Sequence, residues 1–133
     1  MIRLNAFDTD DRREFEIRVA GPSALLVAKL HKLADRGRER DAKRLEDKDA
    51  LDVLRLLRAI PVERLARGLR ELCGNALAGD VAHEAMTYLQ ALFGATISPG
   101  TVMVVRATQR LEDPTVMAAS CVALADDLIR ALR

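Results

Sequence analysis

Lys29, Lys32 and Arg36 recur at i, i+3 and i+7, which sets three cations along one side of a helix. A row of that kind can hold the phosphates of a nucleotide or an RNA backbone; it can also be a plain solvated basic face. Further along comes Lys48-Asp49-Ala50-Leu51-Asp52. Aspartates three positions apart share a helix face, where the pair can ligate Mg²⁺ or take a proton from a hydroxyl. The simpler alternative is that they are first-turn carboxylates favouring the helix dipole, with Asp52 pairing to Lys48 or Arg55.

Other chemistries find little support. Asp8-Thr9-Asp10 has the spacing of a metal-binding strand pair, yet Asp and Thr are ordinary residues at a turn. There is no glycine-rich phosphate loop. Cys73 and Cys121 stand alone within apolar helical patterns, and neither His31 nor His83 has a His or Cys at i+3 or i+4. Neither a zinc or haem site nor a Ser or Cys triad is expected.

The elements that must position these residues follow from periodicity and punctuation. Ile2, Leu4 and Ala6, then Phe15, Ile17 and Val19, alternate with polar neighbours on either side of a charged turn, which predicts a β-hairpin. Gly21-Pro22 ends it, and Ser23 is placed to cap a helix running to Arg36, with Leu26, Leu30 and Leu33 on its apolar side. Residues 38–46 read as a charged loop. A second helix starts at Asp47 and stops before Pro61, burying Leu51, Leu54, Leu57 and Ile60. If these two helices pack as a hairpin, the basic row comes close to the aspartates.

Four further helices are expected: Val62 to Leu77, Asp80 to Gly94, one from Ser98-Pro99, and one from Asp113-Pro114 to Leu132. The expected fold is therefore α+β and mostly helical, an N-terminal β-hairpin followed by a bundle of about six helices. It forms a single domain over 1–133, with 1–60 as the site-bearing part and 61–133 as a helical annex.

Composition bounds the function. The chain has 133 residues, 50% hydrophobic and 31% charged, which suits one folded domain with a core of Leu, Ala and Val. Aromatics are 3%, too few for the stacking platforms of a single-strand nucleic-acid binder. A net charge of +1 supplies no global field for nucleic acid or anionic membrane. No apolar run approaches the ~20 residues that span a bilayer, and no leader-like segment is evident, so a cytoplasmic protein without a membrane partner is expected.

Phe15-Glu16-Ile17-Arg18-Val19, the segment from Pro22 to Arg36, and Lys48-Asp49-Ala50-Leu51-Asp52-Val53-Leu54 together resemble the nucleotidyltransferase-like family that includes the AbiEii and MenT toxins. In that family a strand leads into a helix with a Lys…Arg motif, and an Arg/Lys-Asp-x-x-Asp-Leu helix start follows a variable loop. Lys29 and Arg36 fall on the first motif, Lys48, Asp49 and Asp52 on the second, and Val53 replaces the usual Leu.

The resemblance implies transfer of a nucleotide from an NTP to an acceptor, tRNA in the characterised toxins. Lys29, Asp49 and Asp52 would be the catalytic set: Lys29 contacts phosphates, and Asp49 orients or deprotonates the acceptor. Lys32, Arg36 and Lys48 would bind nucleotide or RNA. The family's upstream Gly-Ser or Gly-Gly turn with its Asp-x-Asp strand is missing from this sequence. The expectation is thus the C-terminal part of a longer enzyme or a stand-alone remnant, inactive by itself and without a metal site of its own. Mg²⁺ and NTP would join only a completed site. The alternative is a non-catalytic module for oligomerisation or antitoxin binding, associating with itself through the hairpin edge.

Overall fold

A computed structural model describes residues 21–36 and 43–133, with side chains for 21–35 and 47–133. Six helices account for nearly all of this: α1 (Pro22–Arg36), α2 (Lys43–Ala59), α3 (Val62–Cys73), α4 (Gly79–Phe93), α5 (Pro99–Thr108) and α6 (Pro114–Ala131). The described residues contain no strand and no sheet, so the class is helical where the sequence reading expects α+β. The hairpin expected over residues 2–19, and the edge association built on it, lie outside the described residues.

The apolar periodicity is what closes the bundle. Leu26, Leu30 and Leu33 of α1, Val53, Leu54 and Leu57 of α2, and Leu65, Leu69 and Leu72 of α3 are all buried. They meet Ala85, Leu89 and Phe93 of α4, Val104 of α5, and Met117, Cys121 and Leu128 of α6 in one continuous core. Helix α1 packs against α2, α3 and α4 at once, while α5 and α6 lie against α2 from the other side. Each fully buried Leu or Phe contributes about 1.5–3 kcal/mol relative to exposure, so α1 cannot be shifted without loss on three fronts.

The punctuation holds unevenly. Gly21 takes a φ of 63°, a left-handed turn that glycine tolerates, and α1 begins immediately after it. Ser23 is consequently inside the helix, and its hydroxyl donates across the core to the Leu65 carbonyl at 2.9 Å instead of capping. Helix α2 begins at Lys43, so residues 43–46 are helical where a loop is expected, and Asp47 is an interior residue. Helix α3 stops at Cys73; the Asn75 carboxamide then accepts from the Leu77 and Ala78 amides and forms a tight turn into α4. Asp113 does cap α6, accepting from the amides of Thr115 and Val116. No helix among the described residues is long and apolar enough to cross a membrane.

Candidate functional site

The α1–α2 packing brings the two charged motifs together. Leu26, Leu30 and Leu33 face inward and fix the rotation of α1, which leaves Lys29 and Lys32 on the side toward α2. On α2, burial of Ala50, Val53, Leu54 and Leu57 sets Asp49 and Asp52 against α1. The Lys29 ammonium donates to Asp52 Oδ2 at 3.1 Å and to Asp49 Oδ1 at 3.4 Å. Lys32 Nζ approaches Asp49 Oδ1 at 3.8 Å, and Arg55 Nη1 approaches Asp52 Oδ1 at 3.6 Å.

Burial grades this cluster from inside to outside. Asp49 is 4% exposed, a carboxylate within the protein. The side chains of Lys29 and Asp52 are 22% and 25% exposed, whereas Lys32 and Arg55 reach 46% and 67%. Burial acts to lower the pKa of the Lys29 ammonium. The hydrogen bond and charge of Asp52, and then those of Asp49, outweigh it and hold the group above its ordinary range. The cluster is a nearly closed ion network with two exposed cations at its rim.

Of the residues singled out in the sequence, Lys29, Lys32, Asp49 and Asp52 thus meet at one place. Lys48 is exposed on the turn before Asp49. Arg36 is the last residue of α1, and its side chain lies outside the described residues.

Two features had no sequence signal. Arg106 of α5 donates to Asp47 through Nη2 and Nε, at 2.6 and 2.8 Å, and so pins the N-terminal part of α2 from the far side. The partners are 59 positions apart, and nothing local marks them. Beside the ion network, Ala24, Val27, Ala28, Leu72, Ala78 and Val81 line a groove of about 450 Å³ with His31, Lys32 and Asp35 at its rim. His31 Nε2 meets the Val81 carbonyl at 2.8 Å, and its ring packs edge-on against Tyr88 with centroids 5.1 Å apart. His31 therefore works as a strut between α1 and α4.

Mg²⁺ does not fit the residues present: Lys29 already stands between the two carboxylates, and among the described residues no three His, Cys, Asp or Glu groups converge as a metal set. Both cysteines are chemically quiet. Burial pushes the thiol of Cys121 up to about 11, against a small opposing effect of Arg58, and raises that of Cys73. No family model, curated protein or solved structure matches this chain.

Proposed function

We propose that this chain is a nucleotidyltransferase-like portion of the AbiEii/MenT toxin type, cytoplasmic and inactive by itself, that binds NTP or tRNA weakly through the basic side of α1 and the start of α2. The observation that supports this reading is the meeting of Lys29 with Asp49 and Asp52 within 3.1–3.4 Å. The two motifs are separated by a charged segment that dictates no such contact. In this reading Lys32, Arg36 and Lys48 supply the electrostatic attraction to phosphate, and the buried Asp49 holds Lys29 beside them. The Gly-Ser…Asp-x-Asp element that would hold Mg²⁺ must come from elsewhere.

The test is titration with Mg-NTP and with tRNA at low salt. The double variant Lys32→Ala/Lys48→Ala changes exposed side chains, and a circular dichroism spectrum and melting temperature matching the parent's check that the fold is kept. Binding to tRNA should weaken roughly tenfold, as expected for losing two phosphate contacts. Indistinguishable binding by parent and variant would sink the reading.

A second reading is a non-catalytic interaction module that contacts an antitoxin or another copy of itself. What favours it is that Lys29 is taken up by aspartates, together with the apolar groove beside it. Light scattering over a concentration series separates its self-associating form: a strict monomer removes it.

A further inference from the structure

We infer that the apolar groove beside α1 is a docking site for the chain's own residues 15–19, with Phe15, Ile17 and Val19 as the side chains that fill it. Ala24, Val27 and Ala28 of α1 face Leu72, Ala78 and Val81 across a space of about 450 Å³. The apolar surface continues at its edge, where Val81 is 43% exposed and Leu77, next to Ala78 in the chain, is 68% exposed. An apolar hollow with an apolar edge is a surface that folding or association covers.

Reach selects the occupant. Residues 1–20 lie outside the described residues and join the bundle at Gly21, three positions before Ala24, the first residue of the lining. Gly21 turns the chain there with its φ of 63°. From Ala24 to His31 the groove follows α1 for about 10 Å, at about 1.5 Å per residue. Phe15 is six residues before Gly21, and a chain covers up to ~3.3 Å per residue, so all three apolar side chains come within range. A tether this short holds them at a local concentration on the order of millimolar, which a free partner has to exceed.

The chemistry matches along the same direction. Phe15, Ile17 and Val19 alternate with Glu14, Glu16 and Arg18. The charged residues of the lining, Lys32 and Asp35, are both exposed at the far end of α1. With Val19 beside Ala24, the segment brings Glu14 and Glu16 to Lys32, and Arg12 and Arg13 toward Asp35. The groove is then occupied from within, and any partner must first displace residues 15–19. This contact does not depend on the nucleotide reading.

Disulfide trapping in the full chain tests the contact. Ala28 is exposed and lines the groove, so Ile17→Cys/Ala28→Cys should close an intrachain disulfide under mild oxidation, mapped to those two positions by peptide mass. Ile17→Cys/Ala119→Cys should not, because Ala119 is exposed on α6 and is not part of the lining. Absence of the bond between positions 17 and 28 overturns the inference. A bond between two chains overturns it as well, since the occupant is then a second copy. In a separate measurement, Ile17→Asp with the parent's circular dichroism should raise the fluorescence of the apolar dye ANS several-fold as the groove opens. Fluorescence equal to the parent's would mean that residue 17 covers nothing, and the inference fails.

Discussion

A carboxylate as buried as Asp49 survives in a folded protein only with cations close by, and it draws them from another helix, α1. The arrangement predicts how stability responds to alkali. The folded-state pKa of Lys29 lies above its ordinary 10.5, so its contribution is fully present below that value and disappears as pH rises through the raised one. Cys121 acts at lower pH. It stays a thiol up to about 11 when folded but ionises from about 9.0 when unfolded, so stability falls across that window. Urea unfolding from pH 8 to 11 should show a two-part decline. Cys121→Ala should flatten the decline between about 9.0 and 10.5, and above 10.5, where both groups titrate, Lys29→Gln should make it shallower. A parent whose stability is constant to pH 11 would contradict both assignments.

At the scale of the elements, the helix ends carry the clearest expectations. Asp113 accepts two amides at the start of α6, and Asp113→Ala should cost about 1 kcal/mol. Ser98 looks equivalent in sequence, but its hydroxyl accepts from Ala95 and makes no cap bond to α5. Ser98→Ala should therefore disturb the preceding turn more than the helix. The sharper case is Gly100, where a Cβ would lie 2.6 Å from the Leu92 carbonyl and 2.7 Å from the Phe93 ring. That carbonyl is backbone and cannot swing aside, so Gly100→Ala should cost about 1–3 kcal/mol by overpacking. Equal stability of Gly100→Ala and parent in urea would refute the close approach of α5 to α4.

Across the whole molecule every helix packs against three or four others, and α1 closes against α2, α3 and α4 together. Leu30 lies at 0% exposure in the middle of that contact. Leu30→Ala should cost about 2–5 kcal/mol, and it should lower the denaturation midpoint of the whole bundle in one transition. A separate early transition for α1 alone would show that the helices unfold independently.

Legibility divided along physical lines. Helix existence, the apolar stripe of α1 and the Asp113 cap were readable, since 3.6-residue periodicity and cap chemistry are local; on α2 only Leu54 and Leu57 of the expected stripe are buried, with Ala50 and Val53 in place of the partly buried Leu51 and Ile60. The two charged motifs were readable as motifs for the same reason. Local rules also misled where a local residue served a distant partner. Ser23 reads as a cap but bonds Leu65, and Asp47 reads as a helix start but binds Arg106. Charge spacing by itself left Lys29 either a solvated cation or a phosphate ligand. Its place between Asp49 and Asp52 was decided only when α1 and α2 packed, because core burial sets the rotation of each helix and hence which charges meet across the interface.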